Sequence, residues 1–241
     1  MTISAEQAAW FATTFDQLVG NVEVAVRGKD RPVRLALTCL LSEGHLLLED
    51  NPGTGKTQLA RALANTVQGS HSRIQFTPDL LPSDVTGVTI YDQQRQTFEF
   101  KSGPIFATIV LADEINRTPP KTQASLLEAM EERQVSVDGH PRKLPVPFLV
   151  AATQNPVEYE GTYPLPEAQL DRFLLKVVLP VPPREQEIEI VTRHAAGFDP
   201  RDLVAAGIRA VASAADLAAG AAEVRQVRIA PEVPAYIVDI G

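Results

Sequence analysis

The sequence predicts a layered α/β domain with a parallel sheet, followed by a helical segment. Three observations indicate this fold class. Short apolar runs alternate with helical segments as far as about residue 180, which is typical of parallel strands buried on both faces. A glycine-rich loop lies between the first of these strands and a helix. After the proline-rich run 180–183, the chain is rich in Ala, Glu and Arg and has no strand-like run before Val227.

The predicted elements follow one another in chain order. A capping-box pattern at residues 4–7 opens a first helix that ends near Gly20, and Pro32 stands in the first turn of a second helix that ends at Gly44. Further helices are predicted from Lys56 toward Val67 and over residues 121–133. Apolar runs predict five buried strands: 45–49, 74–76, 105–112, 148–153 and 173–179.

Two inserts interrupt the predicted α/β layout. Residues 89–102 alternate polar and apolar side chains, and residues 134–147 contain Asp138-Gly139, a dipeptide typical of a tight hairpin turn. Both inserts are therefore predicted to be small hairpins. The proline-rich joint is predicted to separate an α/β core, residues 1–180, from a helical unit, residues 184–241.

Composition excludes several classes of protein. The 241 residues include 22 Lys and Arg against 30 Asp and Glu, a formal net charge of −8, which argues against a nucleic-acid protein that depends on bulk positive charge. A single cysteine, Cys39, excludes an internal disulfide and a zinc site built on several thiolates. With no secretory signal and no apolar run near the roughly 18 residues of a membrane span, the sequence predicts a soluble, cytoplasmic protein.

The clearest motif is a phosphate-binding loop before the helix that opens at Lys56. Glycines at 53 and 55 let the backbone turn tightly and point N–H groups at phosphate oxygens. Lys56 is predicted to reach the β- and γ-phosphates, and Thr57 to offer its hydroxyl to Mg²⁺. Asp50 replaces the first glycine of the general pattern. That position can be relaxed, because later residues of the loop make the close approach to phosphate. Nucleotide binding is assigned to the stretch Asn51, Pro52, Gly53, Thr54, Gly55, Lys56, Thr57 and Gln58.

The apolar run 105–112 is followed by two acids, Asp113 and Glu114. The carboxyl ends of parallel strands lie at the same edge of a sheet, so these acids are expected beside the phosphates. Asp113 is predicted to hold Mg²⁺ through water. Glu114 is predicted to polarise the attacking water as general base, and an acid at this position indicates hydrolysis rather than a nucleotide switch alone.

Two further polar residues lie next to the later strands. Asn155 follows the run 148–153, where an amide could position the lytic water or sense the γ-phosphate, although a Thr-Gln-Asn-Pro run is more often ordinary turn chemistry. Arg172 stands just before the last strand and could neutralise transition-state charge on the nucleotide of a neighbouring subunit. From the residue alone, an ordinary surface salt bridge is the more common role for such an arginine.

Longer stretches resemble the MoxR family of AAA+ ATPases over about residues 26–193: 113–117, 119–123, 127–135, 152–156 and 160–173. The resemblance implies an ASCE-type P-loop NTPase core with three layers and a partial all-α lid. It also implies ATP and Mg²⁺ as cofactors, and it reverses the interpretation of Arg172. Val26 and Gly28 match the segment near the adenine. The remaining implied roles are Walker A for Lys56 and Thr57, Walker B for Asp113 and Glu114, sensor 1 for Asn155, and the arginine finger for Arg172.

The resemblance also implies how such a protein works. Insert 89–102 is similar to the helix-2 insert and insert 134–147 to the pre-sensor-1 hairpin, which face the ring pore or a partner in this family. Members form homo-oligomeric rings, usually hexamers, act as chaperone-like remodelling ATPases, and often work with a von Willebrand factor A domain protein. The family's lid carries a sensor 2 arginine further along, and this chain reaches Gly241 before that motif, so either the lid is cut short here or the protein lacks sensor 2.

Two alternative functions are weaker interpretations of the same residues. A nucleic-acid motor with similar inserts predicts a basic hairpin, but His140, Arg142 and Lys143 give the second insert only a weak basic character, and the net charge is against it. A monomeric small-molecule kinase needs an acceptor pocket and a mobile, arginine-rich lid. The pair Asp113 and Glu114 favours hydrolysis instead.

Overall fold

The computed structural model of the protein describes residues 3–49, 54–154, 162–179 and 182–240. The strands are β1 (Leu46–Glu49), β2 (His71–Gln75), β3 (Gly87–Asp92), β4 (Thr97–Ser102), β5 (Ile109–Asp113), β6 (Gln134–Val137), β7 (His140–Lys143), β8 (Leu149–Gln154) and β9 (Leu175–Val178). The helices are α1 (Ala5–Glu23), α2 (Asp30–Leu41), α3 (Lys56–Thr66), α4 (Pro82–Thr86), α5 (Pro120–Glu132), α6 (Glu167–Leu170), α7 (Arg184–Ala195), α8 (Ala214–Val224) and α9 (Glu232–Ile240).

A five-stranded parallel sheet forms the centre of the α/β core, with strand order β2-β5-β8-β1-β9. Alternate residues of each strand belong to opposite layers. In β1, Leu46 and Leu48 share a buried cluster with α1, α2 and α3, whereas Leu47 shares a second cluster with α4 and α5. Both faces of the sheet are therefore covered, as the uninterrupted apolar runs predict.

Local sequence signals position the first helices. Ser4 caps α1 through the predicted capping box: the Gln7 N–H donates to Ser4 Oγ at 3.1 Å, and the Ser4 N–H donates to Gln7 Oε1 at 2.9 Å. The helix runs past its predicted end at Gly20, because Val22 in the next turn is fully buried in the core. Tertiary packing thus outweighs the weak helix propensity of one glycine.

Each insert forms a two-stranded antiparallel hairpin. β3 pairs with β4, and β6 pairs with β7 around Asp138 and Gly139, which have positive φ angles of 53° and 76° as the predicted turn requires. The two hairpins contact each other where the guanidinium of Arg142 lies 3.7 Å from the centroid of the Phe100 ring.

In the described residues after 182 the chain forms α7, α8 and α9 with irregular connections between them, and part of this segment packs on the core. Residues of the α7–α8 connection and of α8 join the first buried cluster, namely Leu203, Ile208, Ala212 and Leu217. Helix α9 has no buried residue. A division at residues 180–184 stays a prediction. In the part of the chain that the structure describes, no helix combines the length and apolar character that crossing a membrane requires.

Candidate active site

Helix α3 begins shortly after β1 in the chain, on the side of the sheet where the parallel strands have their carboxyl ends. Gly55 caps the helix at φ +98°, a left-handed conformation that residues other than glycine rarely adopt. The first N–H groups of a helix point out of its amino end, which suits the start of α3 to binding an anion. The other predicted loop residues, Asn51, Pro52 and Gly53, lie outside the described residues.

One threonine of β8 organises the two predicted acids. Asp113 ends β5 with 5% of its surface exposed, and its Oδ1 accepts a hydrogen bond from the Thr153 hydroxyl at 2.7 Å. The same hydroxyl oxygen accepts the backbone N–H of Glu114 at 2.8 Å. Glu114 has left-handed backbone angles, φ 59° and ψ 48°, so the chain turns sharply directly after Asp113.

Two cations lie beside Asp113. Lys56 Nζ is 3.8 Å from Oδ1, and Arg73 of β2 donates to Oδ2 from Nη2 at 2.6 Å and from Nε at 3.2 Å. Burial acts to raise the pKa of Asp113, but hydrogen bonds from Thr153 and Arg73 and the charges of Lys56 and Arg73 outweigh it. The pKa therefore lies below its usual value, and Asp113 is an anion at neutral pH.

Glu114 is more open than Asp113. Its side chain is 27% exposed; its Oε2 accepts a hydrogen bond from the Gln75 amide at 2.7 Å and lies 3.4 Å from Arg117 Nη1. These contacts fix the carboxylate while part of it faces solvent. A water molecule can therefore approach it, as a general base requires.

A cavity of about 310 Å³ lies beside the amino end of α3. Its walls come from the α1–α2 connection, the start of α3, and α7 with the residues after it, and they include Val26, Thr54, Gly55, Gln58, Ile190 and Phe198. A concave, largely apolar lining with a few polar groups suits a flat heterocycle. Gly28 adopts φ +71° next to this cavity, and a Cβ there would overlap the Gln186 side chain. The structure thus brings Val26 to the loop and packs Gly28 against α7.

Arg172 lies at the opposite ends of the parallel strands, where their amino ends are. It precedes β9, which runs parallel to β1, whereas the glycine-rich loop follows β1. Its guanidinium donates to Glu131 Oε2 from Nη2 at 2.8 Å and from Nε at 3.0 Å, near the carboxyl end of α5. The fold does not bring Arg172 to the loop of its own chain. Asn155 lies outside the described residues, directly after the end of β8.

Sequence reasoning missed three residues of this site: Arg73, Gln75 and Thr153. Arg73 and Gln75 stand two positions apart on β2, so they share one side of the strand. The pairing of β2 with β5 places Gln75 opposite Asp113. Two polar residues at alternate positions of a strand are the signal that the sequence offers here. That signal does not reveal which strand pairs with β2.

The donor set fits Mg²⁺. The Asp113 carboxylate and the Thr57 hydroxyl offer the oxygen ligands that this cation prefers, and Mg²⁺ is commonly bound through one or two protein groups plus substrate phosphates. The described residues contain no cluster of three or more His, Cys, Asp and Glu that could hold a metal ion.

The chain is similar to known proteins over most of its length. Residues 45–175 match a family model described as the ATPase family associated with various cellular activities (AAA). The chain is 58% identical over 175 residues to the uncharacterized protein YeaC of Bacillus subtilis, and 50% identical over 189 residues to Chaperone MoxR1 of Mycobacterium tuberculosis. These matches cover 73% and 78% of this chain but 52% and 50% of the relatives, so the chain spans about half their length.

A solved structure has the same fold. A crystal structure of an inferred ATPase from Cytophaga hutchinsonii matches with a TM-score of 0.87 and 40% identity, covering 97% of this chain and 69% of that one. Together with the parallel sheet and its flanking helices, this match confirms the predicted α/β P-loop fold.

Proposed function

Because this chain belongs to the MoxR family of AAA+ ATPases, we propose that it binds MgATP at the loop before α3 and hydrolyses it there. The observation that carries the proposal is the approach of Lys56 Nζ to the buried Asp113 carboxylate, 3.8 Å, with Glu114 next in the chain. A cation for the phosphates, an anion for the metal and an accessible base are the groups that this hydrolysis needs.

Each group has one role in this proposal. Lys56 and the N–H groups at the start of α3 bind the phosphate oxygens, and the cavity at Val26 holds the adenine. Thr57 and Asp113 would hold Mg²⁺, which supplies positive charge to the transferred phosphoryl group. Glu114 accepts the proton of the attacking water, and Asn155 orients that water.

The position of Arg172 supports a ring. An arginine at the amino edge of the sheet can neutralise transition-state charge only at the nucleotide of an adjacent subunit. Such a site is incomplete in a single chain, so assembly into a homo-oligomer, a hexamer by analogy with the family, is part of the proposed function. In the chain as described, Glu131 pairs with Arg172.

The proposed output is chaperone-like remodelling or maturation of protein complexes. The relative named Chaperone MoxR1 supports this role. Within the first hairpin, the rings of Tyr91 and Phe98 are 5.2 Å apart and exposed, which offers an aromatic surface to a protein client. A protein with a von Willebrand factor A domain is the proposed partner, as is common in the family.

Substitution of the proposed base tests this function. Glu114→Gln keeps the size and hydrogen-bonding capacity of the side chain but removes its basicity, so turnover should fall by about 10²–10⁴-fold while ATP binding persists. Lys56→Ala should weaken nucleotide binding itself. Binding is measured with a fluorescent ATP analogue and turnover by phosphate release. Glu128→Gln, an exposed acid on α5, is the matched control. Undiminished turnover in Glu114→Gln would remove Glu114 from its role.

A further inference from the structure

Both carboxylate oxygens of Asp113 already accept hydrogen bonds from side chains. The Thr153 hydroxyl donates to Oδ1 at 2.7 Å, and Arg73 donates twice to Oδ2, from Nη2 at 2.6 Å and from Nε at 3.2 Å. A metal ion, or a water bound to it, needs one of these two oxygens. Each oxygen has two lone pairs, and the two N–H groups of Arg73 occupy both lone pairs of Oδ2, whereas Oδ1 keeps one acceptor position beside Thr153. Arg73 therefore has to move if the metal or its water is to bind at Oδ2.

Arg73 is the donor that can move. Thr153 is 1% exposed, and its hydroxyl also accepts the backbone N–H of Glu114, so its rotation would leave a buried carboxylate and an N–H group unsatisfied. The Arg73 side chain is 51% exposed and can turn into solvent without such a loss. Its charge gives a second reason, because a guanidinium beside a divalent cation is repelled by it.

Arg73 also reaches toward the second acid. Its Nη2 donates to Gln75 Oε1 at 2.9 Å, and the Gln75 amide donates to Glu114 Oε2 at 2.7 Å. One guanidinium is thus linked to both acids, directly to Asp113 and through Gln75 to Glu114.

We propose that Arg73 is a resident counter-cation of Asp113: it occupies Oδ2 in the nucleotide-free protein and is displaced when Mg²⁺ enters with the nucleotide. Arg73 is thus a positioning residue that sets the Mg²⁺ concentration at which the site loads. This inference rests on the proposed MgATP site. It predicts that the ion pair competes with the metal, and therefore that removing Arg73 makes loading easier.

Metal titration of the nucleotide-bound protein tests the proposal without measuring turnover. With a fluorescent ATP analogue present, Arg73→Gln should lower the half-saturating Mg²⁺ concentration by up to about fivefold, the scale of a partly exposed ion pair. Arg73→Lys keeps the charge but loses the two-point contact and should give a smaller shift. Mn²⁺ in place of Mg²⁺, followed by electron paramagnetic resonance, gives a direct count of bound metal.

Arg117→Gln is the matched control. It removes a cation next to Glu114 without freeing an oxygen of Asp113, so it should shift metal affinity less than Arg73→Gln does. An equal shift in both variants would attribute the effect to general electrostatics and overturn the proposal. So would an unchanged or weaker metal affinity in Arg73→Gln, which would mean that Arg73 supports the loaded state.

Failure of the MgATP assignment is distinguishable from failure of this inference. If the unaltered protein bound no nucleotide at any Mg²⁺ concentration, the proposed function would be wrong. Titration with Mn²⁺ alone would then still show whether Arg73 limits access of a metal to Asp113. Tighter Mn²⁺ binding by Arg73→Gln than by the unaltered chain supports the competition, and equal binding contradicts it.

Discussion

The imidazole of His45 links three elements of the core. It precedes β1, accepts the backbone N–H of Val150 in β8 at Nδ1 over 3.0 Å, and donates from Nε2 to the Met130 carbonyl of α5 over 3.1 Å. Because Nδ1 accepts, Nε2 must carry the proton, which is the neutral form of the ring. His45 is 4% exposed, so both hydrogen bonds are made away from water.

Burial makes this histidine sensitive to acid. Desolvation, with the positive charge of Arg133, lowers the pKa of His45 from its ordinary value of 6.5 to about 4, although the Met130 carbonyl opposes the change. Between these pH values the unfolded chain binds a proton that the folded chain does not. The contribution to stability is therefore complete above pH 6.5 and is lost as the pH falls toward 4. The difference between these two pKa values corresponds to about 3 kcal/mol of free energy of unfolding.

His45→Ala should lower the free energy of unfolding at neutral pH by about 3 kcal/mol, because two buried backbone groups lose their partner and a cavity forms. The variant should also show a flatter dependence of stability on pH in the acid range. Urea unfolding at a series of pH values measures both effects. His140→Ala, on the exposed strand β7, serves as control. Parallel pH profiles for His45→Ala and the unaltered chain would contradict this role.

At the same scale, the sequence predicts only part of the site. Lys56 and Asp113 are identifiable because a short local pattern, strand then loop then helix, fixes the chemistry of each. Arg73 and Thr153 are not identifiable in this way. Their importance arises from the pairing of β2 with β5 and of β5 with β8, contacts between residues about forty positions apart in the sequence, and no local pattern encodes such pairing.

Among the elements, the two hairpins form one connected unit. The Phe100 ring of β4 lies 5.7 Å from the Phe106 ring and is covered by the Arg142 guanidinium of β7 at 3.7 Å. A cation over an aromatic face contributes about 0.5–2 kcal/mol, depending on burial. The hairpins are thus in direct contact through this cation–π pair.

Arg142→Ala should uncouple the hairpins while leaving the sheet intact. A double-mutant cycle with Phe100→Leu should give a coupling energy of about 1 kcal/mol, measured by chemical unfolding. Amide hydrogen exchange should become faster in β3 and β4. Arg95→Ala, at the exposed turn between β3 and β4, is the control and should change neither quantity. A coupling energy near zero would show that the hairpins are independent.

Element identity is easier to predict than element boundaries. The apolar run 105–112 predicts one long strand, but β5 begins at Ile109. Ile105 is fully buried in the second cluster without belonging to the sheet. Apolar composition reports burial, and both a strand and a buried turn satisfy it. The hairpin turn at Asp138-Gly139 is well predicted because its positive φ angles restrict which residues fit.

For the whole molecule, the separation between Arg172 and the glycine-rich loop is the decisive feature. Strands β1 and β9 are parallel neighbours. Arg172 precedes β9 and the glycine-rich loop follows β1 in the chain, so the topology assigns them to opposite ends of the strands. A nucleotide site completed by Arg172 therefore requires a second copy of the chain, placed with its amino edge against the first copy's carboxyl edge. Repetition of such a head-to-tail contact gives a ring when the rotation between copies closes, and this is the assembly proposed above.

Mixing two inactive variants tests this arrangement. Lys56→Ala lacks the phosphate cation but still offers Arg172, whereas Arg172→Ala keeps Lys56 and lacks the arginine. In an equal mixture that assembles at random, about one quarter of the sites combine an intact Lys56 with a neighbour's intact Arg172, so turnover should recover to roughly a quarter of the unaltered level. Phosphate release as a function of mixing ratio should peak at equal amounts, with assembly followed by sedimentation. Mixtures of Lys56→Ala with the double variant, which offer no complete site, provide the baseline. If assembled mixtures stayed at that baseline, Arg172 would not act across the interface.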